Sequence, residues 1–230
     1  MIDEAFSRTA MLLGEAAFAR LRSGQAIVVG TGGVGGWCAE ALARSGVGRI
    51  VLIDDDVVAP SNLNRQCCAL ASTVGRAKVE AMRERLLAIS PKLEVIALNR
   101  RWEETTTLDR LPLDLSTPTV VVDAIDSVAC KAQLILSVTA AKVPLFSSLG
   151  AAKRLDPTKV RLQRFSRVEG DGLARALRQR FKKLGRFPAT DFSCAVSTEQ
   201  AAPIVPLGSM MPVTAAFGMT LASAAIARFL

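Results

Sequence analysis

The sequence predicts an α/β fold, a Rossmann-like doubly wound and mostly parallel sheet extended by an antiparallel C-terminal section. Three observations carry that reading. Short apolar runs alternate with helix-patterned segments from residue 25 to about residue 150. The first of those runs ends in a glycine-rich turn, as a strand entering a nucleotide-type βαβ unit does. Beyond residue 150 the rhythm changes to polar/apolar alternation, the mark of a half-exposed antiparallel strand.

Taken in order, QAIVVG at 25–30 is a short buried strand, and GVGGWCAEALARSG after it has helical apolar spacing and a closing glycine. RIVLID at 49–54 is the second strand. Residues 74–90 read as a helix stopped by Pro91, because a proline disfavours helical backbone in the residue before it. LEVIAL, TVVVDAI and VPLFSSL are further strands, with a helix over 127–142 between the last two. In the second part, KVRLQRF and DFSCAVS read as strands. LARALRQRFKKL places Leu173, Leu177, Phe181 and Leu184 on one helical stripe, leaving Arg175, Arg178, Lys182 and Lys183 largely off it. From Gln200 to Ala227 there is no charge, but Pro203, Pro206, Gly208 and Pro212 interrupt the run. A buried C-terminal helix over 213–227 is the expectation; a membrane or membrane-surface helix is the alternative.

Half of the 230 residues are apolar and fewer than a quarter are charged, so the chain can bury a core without disulfide staples. One domain over 1–230 is expected. Within it, 1–150 is a nucleotide-binding part and 151–230 a basic substrate-docking and C-terminal part. The five cysteines form no C-x-x-C pair, and the N-terminal residues show no basic-then-apolar pattern. That combination predicts a reducing, cytoplasmic setting, with peripheral membrane association through the C-terminal segment as the variant. The spacing removes a four-cysteine zinc site, and a chain with no histidine excludes every His-dependent triad and metal site. The net charge of +8 is concentrated: residues 151–186 hold twelve Lys or Arg against three acids.

GTGGVGG contains Gly30-x-Gly32-x-x-Gly35, with Gly33 inside it, and Asp54 follows nineteen residues after Gly35, with Asp56 beside it. Glycines let backbone N–H groups approach phosphate, and the acid can accept ribose hydroxyls, so the fingerprint suits NAD and ATP alike. No P-loop lysine motif is present. Yet Asn62, Arg65 and Gln66 in SNLNRQ and Lys78 in GRAKVEAM follow the second strand, near the carboxyl edge of the sheet where ligands bind. A triphosphate carries about four negative charges to be met, so this cationic loop favours ATP over a dinucleotide. Asp123 and Asp126 in VVVDAIDS lie at the same edge, where one carboxylate could hold Mg²⁺ against phosphate oxygens.

Taken together, GTGGVGG, LIDDDVVAPSNLNRQ, VGRAKVEAM and DAIDS resemble the adenylating domain of the ubiquitin-activating-enzyme-like superfamily, the ThiF, MoeB and HesA group. The resemblance implies that Asp54 binds ribose, that Asn62, Arg65, Gln66 and Lys78 surround the ATP phosphates, and that Asp126 engages Mg²⁺. Arg65, Lys78 and Asp126 are the implied catalytic residues. FSRTAMLLGEAAF resembles the family's entry segment, whose arginine, here Arg8, reaches the ATP of a partner subunit, which implies a homodimer.

Within that superfamily, FSRTAMLLGE, VVVDAIDSVACKAQLI, GAAKRLDPTKVRL, DFSCAVSTE and FGMTLASAAIA are most similar to the branch that dehydrates threonylcarbamoyladenosine in tRNA. That branch implies ATP-dependent cyclisation: a substrate carboxylate is adenylated, a neighbouring nitrogen attacks, and AMP leaves. The basic 151–186 region suits a tRNA partner, with Arg175, Arg178, Lys182 and Lys183 as docking candidates. A cysteine-desulfurase or sulfur-transfer protein is a further candidate partner, and DNA is not expected. Adenylation of the C-terminal glycine of a ubiquitin-like sulfur carrier is the alternative activity. Cys67, Cys68 and Cys194 read either as thioester nucleophiles or as small core residues.

Overall fold

Strand β1 (Gln25–Val29) is buried along its whole length inside a seven-stranded sheet, in a computed structural model that describes residues 3–111, 113–203 and 208–230. Strands β2 (Arg49–Asp54) and β4 (Thr119–Asp123) flank it in parallel, with Ile27 level with Val51 and Val121. β3 (Glu94–Asn99) lies outside β2, and β5 (Leu145–Ser148) outside β4, again in parallel. β7 (Ser193–Ser197) adds to β5 in parallel, and β6 (Val160–Arg164) closes the edge antiparallel to β7. The order is therefore β3-β2-β1-β4-β5-β7-β6, a Rossmann-like sheet whose antiparallel extension is a single strand. Arg161 and Arg164 stand exposed on that edge strand, where charge discourages pairing with another chain.

The period of two in β1 sorts the two faces of the sheet. Ala26 and Val28 join one apolar cluster with Leu42 of α3 (Gly35–Ser45), Met82 of α4 (Lys78–Ile89) and Phe217 of α7 (Met211–Ile226). Ile27 and Val29 join the other, with Ile135 of α5 (Val128–Ala140) and Leu177 of α6 (Gly172–Leu184). Helices on both faces make the sheet doubly wound. Two short helices precede it, α1 (Ser7–Leu13) and α2 (Glu15–Ser23), and Phe6, Phe18 and Leu21 tie them to the first cluster.

Among the element boundaries that differ from the sequence reading, two have a clear physical cause. The helix expected over 74–90 begins only at Lys78, because Arg76 and Gly75 are drawn into an extended exchange with Val58, and Val57 bridges Ala77. Gly75, at φ +86°, supplies the left-handed turn that allows it. The C-terminal helix begins at Met211, with Pro212 inside its first turn, where a missing N–H costs nothing. Pro206 lies outside the described residues. Val213, Phe217, Leu221 and Ala225 of α7 are buried against the protein, and among the described residues no helix is long and apolar enough to cross a membrane. A Cβ at Gly218 would stand 2.6 Å from the Val34 carbonyl oxygen, so α7 packs directly onto the first turn of α3.

Candidate active site

At the carboxyl ends of β1, β2 and β4 the chain encloses a cavity of about 690 Å³, a size suited to a small-molecule ligand. Gly30 opens its floor at φ +89°, and a side chain there would meet the Ala124 carbonyl oxygen at 2.7 Å. Gly32 and Gly33 line the cavity. Gly35, expected among the ligand-binding glycines, does not line it. It is buried in the first turn of α3, where a Cβ would sit 1.8 Å from the Gly30 oxygen, so it serves close packing of helix on strand.

The acid run after β2 fastens this loop. Asp54 Oδ2 accepts hydrogen bonds from the Thr31 backbone N (2.6 Å) and Thr31 Oγ1 (3.0 Å), and its Oδ1 accepts from Asp56 N at 2.9 Å. Asn62, Arg65, Gln66 and Lys78 come to the same cavity from the following loop and from the start of α4. Asn62 Oδ1 accepts from Ala59 N at 3.0 Å and holds its own turn. The Arg65 carbonyl accepts from Trp37 Nε1 at 2.9 Å, which pins that backbone to α3, while its guanidinium donates to Ser61 O at 2.9 Å and Asn64 Oδ1 at 2.8 Å. Gln66 is buried beside Gly32, with its Oε1 out of solvent and without a hydrogen-bond partner among the described residues. Lys78 is buried to 6% exposure, and its Nζ lies 2.6 Å from Asp56 Oδ2.

Asp126 stands exposed at the cavity wall between β4 and α5. Asp123 is not an open carboxylate. It is fully buried, 2.9 Å from the equally buried Lys131 Nζ, and accepts from Ser147 Oγ at 2.7 Å and Ile125 N at 3.1 Å. Lys131 in turn donates to Ile125 O at 2.9 Å, so the pair braces the 124–126 turn that presents Asp126.

Sequence reasoning missed Arg100, Arg101 and Trp102, which line the cavity just past β3, and Cys130 from α5. The signal was available in the position of the arginines beyond a parallel strand's carboxyl end, the rule that singled out Asp54 and Asp126. The Arg101 guanidinium sits beside the Cys130 thiol, which raises its already high pKa. Cys67, Cys68 and Cys194 are buried; burial pushes the Cys67 thiol up to about 12 and raises the other two. They are core residues with few thiolates to offer.

Outside the cavity, Arg8 is exposed on α1 and does not line the cavity of its own chain. Arg175, Lys182 and Lys183 are exposed along α6. Arg178 is exposed with them and also makes contacts within the chain. Its Nη2 donates to Phe165 O at 2.8 Å and Val168 O at 2.7 Å, and its guanidinium lies over the Phe165 ring at 4.9 Å, which ties α6 to the turn after β6.

A glycine loop on a parallel sheet, an acid at the end of the second strand and cations on the following loop in place of a P-loop define a nucleotide-binding α/β protein of the adenylating type. The chain belongs to the ThiF family, whose model matches residues 6–230. It is 41% identical over 180 residues to the tRNA threonylcarbamoyladenosine dehydratase of Bacillus subtilis (strain 168), covering 78% of this chain and 70% of that protein. Crystal structures of E. coli tRNA N6-threonylcarbamoyladenosine dehydratase superpose on it over its full length and 96% of theirs. The complex with ATP gives a TM-score of 0.89 at 37% identity, and the complex with AMP gives 0.90 at 36%.

Proposed function

We propose that this chain catalyses the ATP-dependent dehydration, by cyclisation, of threonylcarbamoyladenosine in tRNA. The observation that carries the reading is the convergence of Arg65, Lys78 and Asp126 on one cavity with the Gly30–Gly33 loop. Support comes from dehydratases similar to it in sequence and fold, one of which, the E. coli protein, is seen both with ATP and with AMP. ATP lies with its ribose toward Asp54 and its phosphates toward Gly32, Gly33, Arg65 and Lys78. Gln66 lines the same cavity, and its Oε1, without a partner among the described residues, is a polar atom that a bound ligand could satisfy. Asp126, exposed at the cavity wall, is the residue to hold Mg²⁺, which when bound neutralises phosphate charge.

The substrate carboxylate attacks the α-phosphorus and pyrophosphate leaves, its charge met by Lys78 and Arg65. A neighbouring nitrogen of the same substituent then bonds to the activated carbonyl carbon and gives up its proton to solvent while the C–O bond to AMP breaks, so the oxygen lost as water leaves on AMP. No enzyme nucleophile is required, because ring closure is intramolecular. The part over 1–150 supplies most of the nucleotide site, with Leu173 and Thr214 completing its wall, and the basic part over 151–230 receives tRNA. A second copy of the chain completes the site with its Arg8; Met11 and Leu12, 81% and 84% exposed on the same helix, suit such an interface.

The test incubates the protein with ATP, Mg²⁺ and tRNA carrying threonylcarbamoyladenosine, followed by nucleoside mass analysis. Loss of one water with stoichiometric AMP is expected. An unchanged nucleoside would refute the substrate assignment.

A further inference from the structure

A second concavity, of about 230 Å³, lies at the C-terminal end of α6, lined by Phe165, Phe181, Phe192 and Phe187 together with Arg178 and Asp191. Three of its rings are core. Phe165 and Phe192 stack with centroids 4.8 Å apart, Phe181 meets Phe165 edge-on at 6.2 Å, and each is less than a tenth exposed. Phe187 is different: it is 66% exposed on the lip of the same concavity. A single exposed apolar residue needs no explanation, but this one adjoins an aromatic-floored cleft and follows Lys182, Lys183 and Arg186, all exposed.

The surrounding charge selects the occupant. Asp191, the one acid among the described residues of the cleft wall, is spent on Arg164, 3.1 Å away, and on Ser166 Oγ at 2.7 Å. The cations of the last α6 turn and Arg186 are left to face a polyanion. At its other end α6 carries Leu173 into the wall of the nucleotide cavity, so the helix joins the two concavities over a distance of about 16 Å at ~1.5 Å per residue. Cations that follow a backbone and an exposed ring that accepts a base face are the two parts of a single-strand RNA site.

We propose that Phe187 is a stacking platform for an unpaired base of the RNA substrate, a few nucleotides from the residue being modified, with Lys182, Lys183 and Arg186 on the adjoining phosphates. This rests on the tRNA reading above and adds to it a specific contact.

The experiment measures binding of threonylcarbamoyladenosine-containing tRNA by fluorescence anisotropy across a salt series, for wild type, Phe187→Ala, Phe187→Trp and the Lys182→Ala/Lys183→Ala double variant. Phe187→Ala is expected to bind about tenfold more weakly with an unchanged salt slope, and Phe187→Trp to bind as wild type does. The double lysine variant is expected to lower the slope instead. ATP affinity is measured on every variant to show an intact fold. Unchanged tRNA affinity in Phe187→Ala, or failure of Trp to restore it, would overturn the platform while leaving dehydration by the wild type untouched. Wild type that binds no tRNA would overturn both readings.

Discussion

Lys78 Nζ and Asp56 Oδ2 stand 2.6 Å apart, with the lysine side chain only 8% exposed and the aspartate 66% exposed. A cation is thus held nearly out of water at the cavity wall, neutralised from the solvent side by an acid that can yield it to phosphate. Lys78→Gln is therefore expected to lower ATP-dependent AMP formation by about 100-fold or more, the cost typical of a lost electrostatic stabiliser. Asp56→Asn leaves the lysine without its countercharge, so the nucleotide-free variant should be less stable than wild type and gain more from saturating ATP. Thermal shift with and without ATP checks this; an equal ATP-induced shift in both proteins would refute it.

The Lys131–Asp123 pair, both members fully out of solvent, gives a second prediction. Lys131→Met strands a buried carboxylate and should cost about 3–5 kcal/mol in urea unfolding. Removing both charges with Lys131→Met/Asp123→Leu should cost less than Lys131→Met alone. A double variant less stable than the single one would contradict the view that the charge imbalance dominates.

Glu40 sets a pH dependence. Burial works against its charge, but hydrogen bonds from Arg85 (2.5 Å) and Arg44 (2.8 Å) outweigh this and hold its pKa below the ordinary 4.5. A folded-state pKa below the unfolded one contributes stability that is present above the unfolded value and is lost as pH falls through the folded one. Glu40→Gln should thus be about 2 kcal/mol less stable than wild type at pH 7, with the gap closing as the pH drops below about 4. Denaturant titrations at the two pH values measure it.

With its thiol pushed up to about 12, Cys67 is almost entirely protonated at neutral pH. Iodoacetamide at pH 8 should leave Cys67 and Cys194 of the native protein unlabelled, and label both after unfolding. Cys67→Ala, Cys68→Ala and Cys194→Ala should each keep AMP formation within a few-fold of wild type. Loss of activity in one of them without loss of stability would revive a thioester intermediate.

The sheet and most of the cavity were legible because local pattern and function coincide there. The β1 run, the glycines after it and Asp54 at the end of β2 are set by short-range spacing. What escaped is decided by groups distant in sequence. Arg178 is a surface cation, as its pattern suggests, but only the Phe165 and Val168 carbonyls beside it reveal that it also ties α6 to the turn after β6. Asp123 and Asp126 are chemically alike in the sequence, and Lys131, from the next helix, separates a buried brace from an exposed carboxylate. Residues 74–77 carry a helical pattern that their exchange with residues 57–58 overrides.

Gly218 against Val34, and Thr214 in the cavity wall, have a consequence for how the protein is made. The glycine loop near residue 30 is buttressed by a helix almost two hundred residues downstream. Contacts that close so long a loop form late, because the entropy of closure precedes any gain from them. During synthesis, then, the first strands can assemble early, but a competent nucleotide pocket waits until α7 has left the ribosome. Synthesis of the glycine loop and the acquisition of ATP binding are separated in time by nearly the whole length of the chain.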